Sequence, residues 1–259
     1  MRPEYYDFIE LFEKNIMADY ISSDLVYWNC DIESRESAIE LMWEKNYDLL
    51  VIKKANKVLR KVITKENEIK EITPEQVIPK STPITKLINK LIDEKYHYYF
   101  IEQDGQIKDI ITLADLQKGP SRLLLFGLIM NFEIVCIDFI LKFCPDWQFS
   151  LEEKILKKII ERFNCLRKFN LDITPLHCSF IDDKINILKN SDKFKDLCES
   201  CKEKEHTIRF YLKRLIKLRN NLAHSNHIKA GFKNWENLLK TIKTCLLLTE
   251  KMMEYNLEI

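Results

Sequence analysis

Tyr98-Tyr99-Phe100-Ile101-Glu102-Gln103-Asp104-Gly105-Gln106-Ile107-Lys108-Asp109-Ile110-Ile111-Thr112-Leu113-Ala114-Asp115 is the stretch on which the fold turns. Residues 98–101 and 107–111 are aromatic and β-branched runs, the composition of strands. Between them Gln103-Asp104-Gly105-Gln106 carries the glycine that tight turns favour. Thr112-Leu113-Ala114-Asp115 closes the unit. Forty-eight residues upstream the order recurs: a strand at 49–52, a turn at Lys54-Ala55-Asn56-Lys57, a strand at 58–63 and an ending at Thr64-Lys65-Glu66-Asn67. A helix is expected before each copy, at 34–46 and 82–94, opening on Ser34 and Thr82 as N-caps.

Past Gly119-Pro120 the pattern becomes helical. Helices are expected at 123–143, 151–169, 184–189, 193–202, 206–223 and 232–255, with a loop at 171–180 around Pro175. Leu151, Ile155, Ile159 and Phe163 share one face of the second. The last carries Trp235, Leu238, Leu239, Ile242, Leu246 and Leu247, a stripe wide enough for several neighbours or a second subunit.

Composition sets limits. With 46% hydrophobic and 31% charged residues in 259, the chain can bury a core and is not of disordered type. Four glycines argue against a glycine-rich phosphate loop. A net charge of +1 provides no global attraction to nucleic acid, so any such contact needs a local patch. Eight scattered cysteines in a chain this long read as reduced thiols of a cytoplasmic protein. The first twenty residues lack a secretory apolar region. The apolar run 123–143 contains Asn131, Glu133 and Asp138, each costly in a bilayer, and reads as a buried helix with no membrane partner.

The duplicated β-α-β-β-α unit, over roughly residues 18–120 and with its strand-Thr-x-x-Asp endings, resembles a pair of CBS domains, the Bateman module. The resemblance implies that Thr112 contacts the phosphate and Asp115 the ribose hydroxyls of an adenosine nucleotide such as AMP or ATP. Thr64 and Asn67 are the counterparts in the first copy, where Asn replaces Asp. Lys61 and Asp109 stand where a glycine is usual. A pair that binds no ligand and only dimerises is the plain alternative.

Leu218-Arg219-Asn220-Asn221-Leu222-Ala223-His224 is the second decisive stretch. Histidine exchanges protons near neutral pH, and arginine keeps its charge and matches phosphate geometry. Together with the run holding Glu133, and Leu176-His177-Cys178-Ser179-Phe180 followed by Asp182-Asp183-Lys184, the motif resembles the HEPN superfamily (higher eukaryotes and prokaryotes nucleotide-binding domains). The implied architecture is an α+β tandem CBS domain at 1–118, with repeats at about 18–70 and 71–118, followed by an all-α HEPN helical bundle at 119–259.

Many HEPN proteins are dimeric ribonucleases that need no metal or other catalytic cofactor. Carried over, His224 is the general base or acid on the 2′-OH or the leaving oxygen. Arg219 holds the phosphate, and Asn220 orients the imidazole or bonds the phosphate. The products are a 2′,3′-cyclic phosphate and a 5′-hydroxyl. Arg219 and His224 are about 140° apart on a regular helix, at roughly 100° per residue. They converge only if the helix breaks or a second subunit contributes, which favours a dimeric site. The two resemblances together imply a homodimer formed through both the CBS and the HEPN domains. Glu133 pairs with a bundle cation or positions Arg219 or His224. The partners implied are RNA and a regulatory adenosine nucleotide. The alternatives are a non-catalytic nucleotide-sensing or RNA-binding module, and a toxin neutralised by an antitoxin-type protein.

Other motifs carry less. Cys198-Glu199-Ser200-Cys201 supplies two of the four ligands that a structural zinc needs and lies in a helical context, so no metal site is expected. The basic Lys213, Arg214, Lys217 and Arg219 form either a solvated face or phosphate contacts.

Overall fold

The computed structural model describes residues 4–93, 96–169 and 172–257. The chain divides into two compact units, Met1–Arg122 and Leu123–Ile259.

The first unit contains α1 (Glu4–Asn15), β1 (Ser23–Asp24), β2 (Tyr27–Asn29), α2 (Arg35–Lys45), β3 (Leu49–Lys54), β4 (Lys57–Thr64), β5 (Ile69–Glu71), β6 (Val77–Pro79), α3 (Ile84–Ile92), β7 (Tyr98–Gln103) and β8 (Gln106–Thr112). Two four-stranded sheets result, β2-β3-β4-β5 and β1-β8-β7-β6. Each holds a parallel pair, β2 with β3 or β6 with β7, then an antiparallel hairpin, β3/β4 or β7/β8. A short antiparallel strand, β5 or β1, borders each hairpin. The copies agree in register: Leu49 faces Thr64 as Tyr98 faces Thr112.

Both hairpin turns have two central residues in the left-handed region, Ala55 and Asn56 (φ 47 and 59) and Asp104 and Gly105 (φ 54 and 73). That is the turn whose twist matches paired strands. Successive residues of β3 serve opposite faces. Leu50 and Ile52 join Ile63 against Ala38 and Met42 of α2. Val51 joins Val62, Phe100 and Ile107 in a cluster shared by the two copies. Burial on both faces explains the unbroken apolar run at 49–52.

Two details differ from the sequence expectation. The first copy does not close with a helix, because after Thr64 the chain reverses at Asn67 (φ 64) into β5. The cap of α3 is Pro83 and not Thr82, whose carbonyl accepts from the Ala18 amide at 2.7 Å. Ser34 does cap α2, accepting from the Ser37 amide at 3.1 Å. The expected end of α3 at Glu94 lies outside the described residues.

The second unit is helical: α4 (Gly119–Phe143, whose first turn precedes the division), α5 (Glu153–Leu166), α6 (Ile181–Asn190), α7 (Lys193–Ser200), α8 (Glu205–Ala223) and α9 (Trp235–Leu257). By length and composition α4 could cross a membrane, but 61% of its most apolar window is buried inside the protein. Phe132, Phe139 and Ile140 are among its buried residues. The loop expected at 171–180 contains a 3-10 turn, Pro175–Cys178, and its first residue, Leu171, lies outside the described residues. α6 starts before the expected 184, because the Asp183 carboxylate caps the Phe180 amide at 2.9 Å.

Candidate functional site

α8 buries Ile208, Leu212, Leu215, Leu218 and Leu222, one helical stripe. Arg219 sits at the edge of that stripe and is half-buried. Its Nε lies 3.9 Å from Glu133 Oε1 of α4. The other carboxylate oxygen lies 3.7 Å from Lys184 Nζ of α6. Lys184 is 3% exposed and donates to the Ser179 carbonyl at 2.7 Å. One carboxylate thus lies within ion-pair range of cations on two other helices, which offsets part of the cost of a charge in the apolar α4, although Arg219 Nε has no hydrogen-bond partner among the described residues.

Asn220 and His224 are exposed and one turn apart. The helix does not break within the motif. His224 is its C-cap, donating its amide to the Asn220 carbonyl at 3.0 Å, and Ser225 takes the left-handed conformation (φ 56) that ends it. Arg219 Nη1 reaches Asn220 Oδ1 at 3.4 Å. Asn220 is therefore beside both nominated groups.

Asn221 has a different task, at the end of the helix. It is buried, and its Nδ2 donates to the carbonyls of Ala230 at 2.8 Å and Ile228 at 3.3 Å. These bonds fold the segment after His224 back onto α8. The Lys217 side chain closes over Gly231 (φ 76), where a Cβ would meet Nζ at 1.7 Å. Arg214 stacks on Phe210 and Phe232, with ring centroids 4.3 and 5.8 Å away. The basic face is thus partly used internally. Lys184, part of the Asp182-Asp183-Lys184 run, is the bundle cation that Glu133 is expected to meet, and which cation it would be depends on helices distant in sequence.

In the first unit, Asp115 is 5% exposed. Its Oδ2 accepts from the Thr112 amide at 2.7 Å and hydroxyl at 3.0 Å. Its Oδ1 accepts from Ser23 Oγ and pairs with Lys118, both at 2.8 Å. Lys118 Nζ also donates to the carbonyls of Ile21 at 2.8 Å and Ser22 at 2.6 Å. These contacts tie the turn after β8 to β1. Thr64 matches Thr112 in register, but Asn67 forms the β4/β5 reversal and its carbonyl accepts from Arg35. The capped 3-10 turn of the second copy recurs instead at Thr73–Gln76, where Gln76 Oε1 accepts from the Thr73 amide at 3.2 Å and hydroxyl at 3.3 Å. The signal was legible: Ile72-Thr73-Pro74-Glu75-Gln76 parallels Ile111-Thr112-Leu113-Ala114-Asp115.

Cys198 and Cys201 are both buried in the helical unit. Burial pushes their thiols up to about 12 and about 11. Among the described residues no three His, Cys, Asp or Glu side chains are grouped to hold a metal ion.

No family model matches the chain, and no curated protein matches it. Among solved structures the chain is similar to an uncharacterized conserved protein from Pyrococcus horikoshii, at 18% identity over 39% of this chain and 88% of that one, with a TM-score of 0.32. It is also similar to the CBS domain of a bacterial CNNM/CorC family Mg2+ transporter in complex with ATP, at 15% identity over 44% of this chain and 94% of that one, with a TM-score of 0.33. Likeness at this level assigns the chain neither a family nor a ligand.

Proposed function

We propose that the second unit is an endoribonuclease of HEPN type, acting through side chains alone, and that the first is a CBS pair that senses an adenosine nucleotide and regulates it. The observation that carries the nuclease reading is the open end of α8. Exposed His224 and Asn220 stand one turn apart there, beside an Arg219 whose Nε lies 3.9 Å from Glu133.

The chemistry follows from these groups. One His224 imidazole takes the proton of the ribose 2′-OH, and the 2′-oxygen attacks phosphorus in line. The bond to the 5′-oxygen breaks, and that oxygen is protonated by an imidazolium. A cyclic phosphate and a 5′-hydroxyl result. Arg219 stabilises charge on the phosphate oxygens. Because α8 stays regular through Ala223 and ends only at His224, a break in the motif does not bring Arg219 and His224 together. The reading therefore requires a second copy of the chain. Exposed Met130, Ile134 and Leu141 of α4 are apolar residues free for such pairing.

The sensing reading is supported by the paired β-α-β-β copies and their shared register. A ligand regulates only through differential affinity for two states of the protein. A second reading for the helical unit, a non-catalytic RNA-binding module, is favoured by the nearness of Arg219 to Glu133; the engagement of Asp115 with Ser23 and Lys118 favours a CBS pair that binds no ligand and only dimerises.

The test is cleavage of a structured RNA in EDTA by the parent, His224→Ala and Arg219→Ala proteins, each with and without AMP or ATP. Cleavage that survives EDTA and falls about 100-fold or more in both variants supports the nuclease. Equal background in all three overturns it. Rates indifferent to every adenosine nucleotide the protein binds overturn the regulation.

A further inference from the structure

α5 and the 3-10 turn Pro175–Cys178 pack together and carry a cluster the α8 motif does not use. Lys154, Lys158 and Arg162 follow one another at four-residue intervals on α5. They form one row with a spacing of about 6 Å. Lys157 stands beside the row, and Arg167 and Lys168 follow in the 3-10 turn Arg167–Phe169. Lys154, Lys157, Lys158, Arg167 and Lys168 are exposed, and none is ion-paired among the described residues. Residues 152–168 hold six Lys and Arg against three Glu, an excess of three on a chain of net charge +1, so the remainder is net negative. This segment is locally basic.

Arg162 is fixed. Its Nη1 donates to the Cys178 carbonyl at 3.0 Å, and its guanidinium lies 4.3 Å from the Phe180 ring centroid. Phe180 remains 56% exposed. Cations that track phosphates, beside an aromatic ring offered to a base, are what single-stranded nucleic acid recognises. A duplex covers its bases and has no use for the ring. An anionic membrane would attract the cations but gives no role to a guanidinium fixed on an exposed ring. The cluster also adjoins the motif. Ser179, between Cys178 and Phe180, accepts from Lys184, which pairs with Glu133, which pairs with Arg219.

We propose that Lys154, Lys158, Arg162 and Phe180 bind a single-stranded segment of RNA, the cations on successive phosphates and a base on Phe180. The choice of RNA rests on the nuclease reading above.

The test uses the His224→Ala protein, so that substrate persists. Its binding is measured to a fluorescent single strand of about 12 nucleotides, to the corresponding duplex and to phosphatidylserine vesicles. The single strand is expected to bind more tightly than the duplex. Lys154→Ala/Lys158→Ala weakens it about tenfold or more and lowers the salt slope by about 1.4, two phosphate contacts' worth. Phe180→Ala weakens it about tenfold with the slope unchanged. Unchanged melting temperatures establish that both variants fold. The proposal is overturned if neither variant changes RNA affinity, if duplex and single strand bind alike, or if the variants lose only vesicle binding. Cleavage by the parent reports on the nuclease reading separately: binding without cleavage sinks that reading and leaves this surface, and cleavage indifferent to both variants sinks the surface alone.

Discussion

Asn220 and Asn221 are neighbours of the same type with opposite tasks. Asn220 is exposed beside Arg219 and His224, whereas the buried Asn221 amide bonds two carbonyls of the following loop. Removing Asn221 takes its amide donor from the carbonyls of the buried Ile228 and the exposed Ala230, and Asn221→Ala is expected to cost about 2 kcal/mol in denaturant unfolding. Asn220→Ala is expected to stay within about 0.5 kcal/mol. Equal losses would contradict this division of labour. Ala55 supports a second prediction. It adopts φ 47 where the other hairpin uses Asp104, and a side-chain Cβ is disfavoured there by roughly 1–2 kcal/mol. Glycine relieves that strain but adds freedom to the unfolded chain worth about 0.4–1 kcal/mol. Ala55→Gly should therefore raise stability by about 0.5–1 kcal/mol, seen as a higher denaturant midpoint. A lower midpoint would show that Ala55 is not strained.

At the scale of elements, Glu133 ties α4 to α6 and α8. Lys184 is nearly fully buried, so neutralising its partner leaves a cation uncompensated. Glu133→Gln is expected to cost about 3 kcal/mol. Lys184→Met in the same chain should recover part of it, giving a coupling of about 1 kcal/mol or more in a double-mutant cycle. Additive losses would mean the 3.7 Å pair contributes nothing. Elements of this kind also mark what the sequence could disclose. The long helices and both hairpins were legible because periodicity and turn residues are local. The strands β1, β2, β5 and β6, at two or three residues each, are too short for a period to emerge. β5 is what moved the capped turn of the first copy to Thr73. In the site, Arg219, Asn220 and His224 were readable as a motif, and Glu133 as a charge in an apolar run. That Glu133 faces Arg219 and Lys184 depends on which helices meet, which no spacing within one segment encodes.

At the scale of the molecule, the two units differ in buried thiols. Cys136, Cys198, Cys201 and Cys245 all belong to the second unit, and burial pushes them up to about 12, 12, 11 and 12. Other charges act on them less: Glu205, Arg209 and Glu199 on Cys198, Lys251, Glu203 and Glu254 on Cys201. A group whose folded value is raised contributes stability that is complete below its unfolded value, about 8.5 for a thiol, and lost as pH climbs toward the folded value. The window therefore opens near pH 8.5 and runs toward about 11, and within it each thiol removes up to about 1.4 kcal/mol per pH unit. Lys189 runs the other way, its value lowered by burial and by Arg209 and Lys213, so the strain of holding it charged eases as pH rises. One lysine does not offset four thiols. The melting temperature of the second unit should fall between pH 8.5 and 10.5, and Cys198→Ala/Cys201→Ala should flatten that fall only in part, because burial also raises Cys136, Cys245, Cys144 and Cys178. Parallel profiles for parent and variant would mean these two thiols ionise as readily folded as unfolded. The same burial keeps the Cys-x-x-Cys pair inert, because it holds both thiols in the protonated, non-nucleophilic form at neutral pH. A thiol reagent should therefore label the exposed Cys165 first and reach Cys198 and Cys201 only when the unit unfolds.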